Sequence, residues 1–443
     1  ENYMDPKSNS STEIERKRKQ SLGSAIFNLV KANVGSGVFA LPAGIAAFGD
    51  VPSILGPAIA VMCFLGALSA YAFYMIPRLT RLNGVDDNSP IKSISAAWEQ
   101  EVGKDSAWLI SLCCLLTPLG TALTFSIVMK DMLGTLAKSA GLTGFFASKH
   151  ALLVGITVSV LYPLCNLKSL AALSPVSMIG VVGTIITCLY MVARALPTSP
   201  YLQAGSELLK SIPETYRPSF GIVGNNSLSP SILVLVSMAA TSLLVHFSAH
   251  DFCNDLEDNS PERFKKLTGF GFSLTVLINI IIMSAGFLTF GGACQGMILN
   301  NYSSIDPGAT LSRLIVAISL IGSFPILVRA IKSAFFELSH KGKQVTEKFE
   351  KNTTKTILGA LTAIALAVDN AGVVVSLNGA VMGSFIIYAF PSIIFLKLTS
   401  RLMAEGKLQK SRKLSIERFF NRCLVGSGAL IAFFGAMVIM LEQ

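Results

Sequence analysis

Apolar stretches of about 20 residues recur along the whole chain of 443 residues, and they limit its fold more than any other feature. About 20 apolar residues form a helix long enough to cross the ~30 Å hydrocarbon core of a bilayer. Hydrophobic residues make up 51% of the sequence and charged residues 14%, a composition too apolar for a soluble enzyme of this size. The sequence therefore predicts an all-α polytopic membrane protein.

The length of these stretches predicts eleven transmembrane helices, at residues 22–48, 53–77, 106–129, 148–164, 171–193, 231–251, 267–290, 310–335, 355–373, 376–397 and 418–440. They form a single transmembrane domain, residues 21–443, after a polar N-terminal tail, residues 1–20. Lys and Arg are concentrated in the loops of one side, beginning with Arg16 to Lys19, and such an excess marks cytoplasmic loops. The N-terminus is therefore expected in the cytoplasm and the C-terminus outside the cell or in a lumen. Plasma, vacuolar and other organelle membranes fit equally well.

The formal net charge of +10 does not indicate nucleic-acid binding, because the basic residues lie in short loops between apolar stretches. The eight cysteines and four histidines form no cluster with metal-ligand spacing. No metal, cofactor or enzymatic activity is expected, beyond a coupling ion. The sequons at Asn225 and Asn301 fall in predicted outer loops and are candidate glycosylation sites.

The first apolar stretch is interrupted in its middle by Gly35, Ser36 and Gly37. Glycine lets the backbone leave the helix, and the backbone groups freed by such a break need a cavity or packed protein around them. Secondary transporters aim half-helix N–H groups at an anionic substrate group and unwound carbonyls at a cation. The alternative is that the glycines allow close packing against a neighbouring helix.

The sixth stretch is polar in its second half, where Thr241, Ser242, His246 and Ser248 lie near the middle of the membrane. Polar side chains at this depth need a partner or water. For His246 a functional role is the default hypothesis, and the alternative is an interhelical hydrogen bond with no transport role. Two interrupted helices five positions apart fit two inverted five-helix repeats with a site between them. The prediction is a ten-helix core with discontinuous helices 1 and 6, and an accessory eleventh helix.

Lys31 is the most unusual charge, because it lies about ten residues inside the first stretch and one helical turn before Gly35. A cation there could take the place of a sodium ion, or carry a proton if burial lowers its pKa. The alternative is that the side chain extends back to the cytoplasmic headgroups.

The segment Gly35-Ser36-Gly37-Val38-Phe39-Ala40-Leu41-Pro42 resembles the opening motif of the amino acid/auxin permease family. This family lies in the amino acid–polyamine–organocation superfamily, which has the leucine-transporter type fold. Further similar segments follow in order at residues 246–257, 286–291, 298–306 and 323–325, and in the tenth stretch at 379 and 391–398. The resemblance implies a secondary amino acid transporter with alternating access, symport or antiport, driven by a proton or sodium gradient.

The resemblance also implies which residues do the work. The substrate's carboxylate and amino groups would be held by two groups of residues, Asn33, Gly35, Ser36 and Gly37 in the first break and Thr241, Ser242 and His246 in the sixth helix. A sodium ion would lie between carbonyls near Val34 and the hydroxyl of Ser319 or Ser323, or Lys31 or His246 would carry protons. His250 stands where some relatives have proline, which leaves the position of the sixth-helix break open.

Two other functions stay open at this point. The same architecture suits an amino-acid sensor that signals with little flux, and it suits a carrier of auxin-like organic acids. The sequence predicts an amino acid substrate, a lipid bilayer and no nucleic acid as partners. It does not predict which amino acid is carried, or the oligomeric state.

Overall fold

The computed structural model describes residues 20–82, 94–167, 174–221, 230–340 and 346–441. Helices make up the regular structure of these ranges, apart from isolated β-bridges such as Gln20 with Leu256. By length and composition, seven helical stretches in the described ranges can cross a membrane, or eight if the bent pair Leu22–Asn33 and Gly37–Phe48 is one span. The protein is therefore an all-helical integral membrane protein.

Six helices have no internal break: Leu55–Leu82, Ala107–Ser139, Ser174–Arg194, Pro261–Phe290, Pro307–His340 and Glu347–Ala367. Three more continue through π-helical segments: Lys149–Ile156 to Tyr162–Cys165, Ala371–Leu377 to Phe390–Ala404, and Arg412–Leu430 to Ala436–Leu441. Two short helices, Ile94–Glu101 and Glu207–Lys210, lie in connections.

Two helices are broken. The first broken helix consists of Leu22–Asn33 and Leu41–Phe48, joined through a 3₁₀ turn at Ser36–Ala40. The second broken helix consists of Ile232–Ser242 and Ala249–Asn254, joined through a 3₁₀ turn at His246–Ser248. Helices thus occur at all eleven predicted stretches. Of these, Glu347–Ala367 is not among the candidate spans of the described ranges, and Lys149–Cys165 and Gly180–Arg194 are apolar but shorter than the usual length.

A serine cap marks the start of two of the long helices. The Ser260 hydroxyl accepts a hydrogen bond from the Arg263 N–H, and Pro261 occupies the first turn, where its missing N–H leaves nothing unpaired. Ser411 caps the last long helix in the same way by accepting from Leu414. These caps fix where the transmembrane helices begin.

The two broken helices pack against each other in the interior, and this contact depends on a glycine. A Cβ added to Gly44 would lie 3.1 Å from the Cα of Leu235, so the Leu41–Phe48 and Ile232–Ser242 segments approach closely at this point. The helix Arg412–Leu441 lies at the periphery. Within its most apolar 18-residue segment 28% of the residues are buried, compared with 72% in the corresponding segment of Ala371–Ala404. The last helix therefore borders the core instead of filling it.

Candidate functional site

The first break lies at the predicted residues. Val34 N–H still donates to Val30 O at 2.8 Å, but Gly35 N–H donates to Asn33 O at 2.9 Å, which ends the α-helical pattern. The backbone at Gly35 is extended, and the chain re-enters a helix with Pro42 in the first turn. The two halves meet at an angle of 47°. The break is thus built locally from glycine and proline.

Close packing does not explain the two glycines of the break. A Cβ added to Gly37 would lie 3.6 Å from Thr241 Cγ2 and 3.9 Å from Val375 Cγ1, which are ordinary contact distances. A Cβ on Gly35 would lie 3.7 Å from the ring of Phe125. The close approach between the broken helices occurs at Gly44 instead. A Cβ would therefore fit at both positions without a clash, so a close approach between helices is not the reason for glycine at Gly35 and Gly37.

The second broken helix loses its regular hydrogen bonds at residues 243–245. Val245 N–H donates to Leu243 O at 3.2 Å, two residues back, before the 3₁₀ turn begins at His246. This break therefore lies directly after Thr241 and Ser242, and the three-residue turn His246–Ser248 precedes Ala249–Asn254.

Thr241 faces the first break and the tenth predicted helix. Its Oγ1 donates to Val375 O at 2.6 Å. Gly379, four residues after Val375, packs closely against the second broken helix. An added Cβ at Gly379 would lie 1.8 Å from Ser237 O and 2.5 Å from Thr241 Oγ1. Thr241, Gly37 and Val375 are thus neighbours, and the donor of Thr241 is already used while its lone pairs can still accept.

Ser242 and Asn279 form a hydrogen-bonded pair in the interior of the protein. The Asn279 Nδ2 donates to Ser242 Oγ at 2.9 Å, and Ser242 Oγ donates to Ala239 O at 2.9 Å. Both side chains are fully buried. Ser242 therefore faces Pro261–Phe290 and makes an interhelical hydrogen bond. Asn279, an amide in the middle of an apolar helix, was the available signal and was missed.

His246 is fully buried. Its Nε2 lies 2.9 Å from Ser69 O, and since a carbonyl only accepts, Nε2 carries the hydrogen and Nδ1 is a free acceptor in the neutral ring. Within the described residues Nδ1 has no hydrogen-bond partner. The rings of Phe73 and Phe272 contact the imidazole edge-on at 5.7 and 5.9 Å between centroids.

Asn33 is the least satisfied polar side chain at the first break. It is 6% exposed, and neither Nδ2 nor Oδ1 has a hydrogen-bond partner among the described residues. Leaving a buried amide unpaired is unfavourable by about 1–3 kcal/mol. A buried donor and acceptor without partners are thus available at the first break.

Lys31 is half-buried in the last turn of Leu22–Asn33. A cation at this end of a half-helix is stabilised by the partial negative charge of the last carbonyls, which is a structural reason for the residue. Lys31 thus lies beside the break, at a position that suits a structural role and a coupling role.

Ser319 and Ser323 lie in Pro307–His340, a helix that packs mainly on Ala107–Ser139 and Ser174–Arg194. A Cβ added to Gly180 would lie 2.3 Å from Ser319 Oγ, so this hydroxyl faces Ser174–Arg194. A sodium ion shared with the carbonyls near Val34 is still a prediction. Sequence reasoning could not foresee the orientation of the helix.

Of the two candidate glycosylation sites, only Asn301 lies in the described part of the chain. Asn225 lies outside the described residues, as does the tail up to residue 19, and the side chain of Ser36 is not described. Asn301 is fully buried, and its Nδ2 donates to Ala293 O at 2.8 Å while Oδ1 accepts from Gln295 N–H at 2.8 Å. A glycan on this nitrogen would displace the first bond and has no space, so the structure speaks against glycosylation at Asn301.

Lys130 is a buried charge that sequence reasoning missed. Its side chain is fully enclosed, and Nζ donates to Ala365 O at 2.7 Å, Val368 O at 2.8 Å and Asp369 Oδ1 at 2.9 Å. Lys149 Nζ also lies 2.7 Å from Asp369 Oδ1. Because the residue falls directly after the predicted third span, its charge gave no sign of burial. It ties Ala107–Ser139 to the end of Glu347–Ala367.

The sequence is similar to known membrane transporters over most of its length. A model of the family described as "Transmembrane amino acid transporter protein" matches residues 18–441. A protein of Danio rerio named "Putative sodium-coupled neutral amino acid transporter 11" is 23% identical over 390 residues, covering 87% of this chain and 81% of the relative. Vacuolar amino acid transporter 2 of Saccharomyces cerevisiae is 22% identical over 402 residues, covering 87% and 78%.

Among solved structures, the inward-facing conformation of Mhp1 is similar with a TM-score of 0.61 at 11% identity, covering 96% of this chain and 90% of Mhp1. This likeness supports the predicted fold type, while the number of eleven spans and the inverted repeat are still predictions. The family predicted from the Gly35–Pro42 segment is confirmed. Since the family model extends over nearly the whole sequence, the chain belongs to the transmembrane amino acid transporter family.

Proposed function

We propose that this protein carries amino acids across a membrane by alternating access, with the substrate bound at the first break. Asn33 provides the observation that carries the proposal, because its buried amide is unpaired directly before the break at Gly35 to Gly37. The N–H groups at the start of Ser36–Ala40 would hold the substrate carboxylate. Asn33 Oδ1 and the acceptor lone pairs of Thr241 would hold the amino group.

The substrate side chain would lie against Phe125 and Val375, since these are the apolar neighbours of the two glycines. Neither side chain carries a charge, which favours an uncharged amino acid. His246 and Ser242 lie further along the second broken helix, where their own partners are Ser69 and Asn279. We therefore assign them a supporting role and not direct contact with substrate.

Two coupling ions are compatible with the site. The free Nδ1 of His246 could accept a proton, and Lys31 stands one turn before the break. A sodium ion would use carbonyls near Val34 with Ser319 or Ser323. The name of the Danio rerio relative favours sodium.

We further propose eleven spans, with ten forming two inverted repeats around the breaks and the eleventh peripheral. The helices at all eleven predicted stretches and the low burial of Arg412–Leu441 support this arrangement. An odd number of spans would put the termini on opposite sides, and the excess of Lys and Arg in the loops of the N-terminal side would make that side the cytoplasm.

The first test is uptake of radiolabelled amino acids by liposomes that contain the purified protein, with a proton gradient and a sodium gradient imposed separately. We expect accumulation above equilibrium of an uncharged amino acid under one of them. Binding without accumulation under either gradient would instead identify a sensor. Accumulation of an auxin-like acid and of no amino acid would identify the organic-acid carrier.

The site assignment is tested with Asn33→Ala. We expect uptake to fall at least tenfold while the melting temperature stays equal or rises, because the substitution removes a buried unpaired amide. A purely structural role predicts the opposite, a lower melting temperature with uptake lost only in proportion to folded protein. Asn352→Ala, at an exposed position of Glu347–Ala367, is the matched control and should change neither.

Proton coupling is tested with His246→Gln and Lys31→Met. If either group carries the proton, its variant should lose accumulation driven by a pH gradient but keep exchange of substrate across the membrane without a gradient. Unchanged pH-driven uptake in both variants would rule out both groups as the carrier.

A further inference from the structure

A cavity of about 490 Å³ opens between the helices Phe390–Ala404 and Arg412–Leu430, away from the two breaks. Apolar and basic side chains line it together, and the full set is Ile393, Leu396, Lys397, Ser400, Arg418, Arg422 and Val425. Along the two helices, Ile393 and Val425 are the lining residues farthest from the connection at 405–411, and Ser400 and Arg418 are the nearest to it. An amphipathic cavity between two membrane helices matches one lipid molecule, with its acyl chain at the end far from the connection and its headgroup at the end near it.

The three cations of this cavity lack carboxylate partners. Within the described part of the chain, no Asp or Glu lies at salt-bridge distance from Lys397, Arg418 or Arg422. The nearby carboxylates are engaged elsewhere, Glu417 by Arg78 and Glu405 by Arg401 and Lys407. The cavity therefore holds net positive charge, which an anionic group would balance.

Arg418 is fixed in place by neutral partners. Its guanidinium donates to Leu396 O at 3.2 Å, to Ser400 Oγ at 2.9 Å and to the Thr399 hydroxyl. These bonds orient the group without neutralising it, so the side chain needs no reordering to receive an anion. Lys397 and Arg422 are exposed beside it and can move onto the ligand.

The depth of the cavity fits a headgroup. Lys397 lies seven residues before the end of Phe390–Ala404, and Arg418 lies six residues after the start of Arg412–Leu430. At 1.5 Å per residue this is roughly 10 Å from the helix ends, near the boundary of headgroups and acyl chains. The exposed Ile416 and Phe419 on the same helix offer further apolar contact to lipid.

From these observations we infer that this cavity is a binding site for one anionic phospholipid, whose phosphate is held by Lys397, Arg418 and Arg422. The inference does not depend on the transport proposal, because none of these residues lies at the breaks.

The test uses the purified full-length chain in detergent, with bound lipid measured by native mass spectrometry during titration with phosphatidylglycerol, phosphatidylcholine or soluble glycerol phosphate. We expect one phosphatidylglycerol to bind more tightly than phosphatidylcholine. The double variant Lys397→Gln with Arg422→Gln should bind it roughly 30-fold more weakly, about fivefold for each charge lost. The matched control, Lys410→Gln with Arg412→Gln, removes two exposed charges outside the cavity and should bind like the wild type.

Equal weakening in the two double variants would overturn the inference, because it would mean general attraction to a basic surface. Equal binding of phosphatidylcholine, or equally tight binding of glycerol phosphate, would also overturn it, the latter by identifying a site for a free anion. Melting temperatures monitor folding of each variant. If the Lys397→Gln, Arg422→Gln protein does not fold, Lys397→Gln alone is compared with Lys413→Gln. Weaker phosphatidylglycerol binding by Lys397→Gln only would then support the inference, and equal weakening of both would overturn it.

Discussion

At the residue scale, the polar side chains of the two breaks differ in whether the protein satisfies them. Thr241 and Ser242 donate to Val375 O and Ala239 O, so their hydrogen bonds are made within the fold. Asn33 and the Nδ1 of His246 have no partner in the described part of the chain. Unpaired buried polar groups are unfavourable for stability, and they are kept where a ligand or proton completes them. This difference separates structural from functional candidates.

The glycines provide a prediction that separates packing from binding. Gly37→Ala should leave the melting temperature nearly unchanged, because its Cβ meets only ordinary contacts, yet it should reduce uptake by obstructing the backbone. Gly379→Ala should lower the melting temperature, because its Cβ would fall 1.8 Å from Ser237 O and overpacking typically destabilises by about 1–3 kcal/mol. Thermal unfolding in detergent and uptake in liposomes measure the two effects.

Gly269→Ala is the control for both variants, since a Cβ there has no atom within 4 Å and should change neither readout. If Gly37→Ala were as destabilising as Gly379→Ala, the first break would be a packing feature, and its assignment as the substrate site would be wrong.

At the element scale, a charge cluster holds three predicted helices together at the end of Glu347–Ala367. Lys130 donates to Ala365 O and Val368 O, carbonyls that the helix end leaves free, and its charge is balanced by Asp369. Lys149 contributes a second ion pair to the same carboxylate. The hydrogen bonds from these two lysines hold the pKa of Asp369 at about 2, below its ordinary value of 3.8.

The depressed pKa gives a prediction with a defined sign. A carboxylate with a lowered pKa stabilises the fold above its ordinary pKa, and this contribution is lost as pH falls through the lowered value. Asp369→Asn should therefore lower the melting temperature by an amount that is constant from pH 8 to 5 and shrinks between about pH 4 and 2. Asp369 is largely exposed, so solvent screening limits the size of the effect.

Asp105→Asn, an exposed carboxylate at the start of another helix, is the control for general charge effects. A difference between Asp369→Asn and the wild type that persisted undiminished at pH 2.5 would contradict the ion-pair explanation.

At the scale of the whole molecule, the arrangement of helices predicts termini on opposite sides of the membrane. An epitope tag at the N-terminus should be protected from protease in sealed, right-side-out vesicles, whereas a tag at the C-terminus should be cleaved. Protection or cleavage of both tags would show an even number of spans. The first helix to reconsider would then be Glu347–Ala367, which is not among the candidate spans of the described ranges.

The sequence predicted the helices and the first break well because the signals are local. A run of apolar residues, a glycine pair and a proline act within a few residues of themselves, so the helix positions and the break at Gly35 to Gly37 follow without knowledge of the rest of the chain. The family followed from the same segment. The second break was located less well, since residues 243–245 carry neither glycine nor proline.

The tertiary structure alone decided which polar groups are satisfied. Ser242 is paired by Asn279, 37 residues away, and Thr241 by the carbonyl of Val375, 134 residues away. Ser319 faces Gly180, and Asn301 is buried by the loop around it. The sequence by itself thus determined an amino acid transporter with a broken first helix. Which polar groups of the candidate site are hydrogen-bonded depends on contacts between segments that are distant in the chain. Helix packing decides which partner comes within hydrogen-bond distance, and the local sequence does not predict that partner.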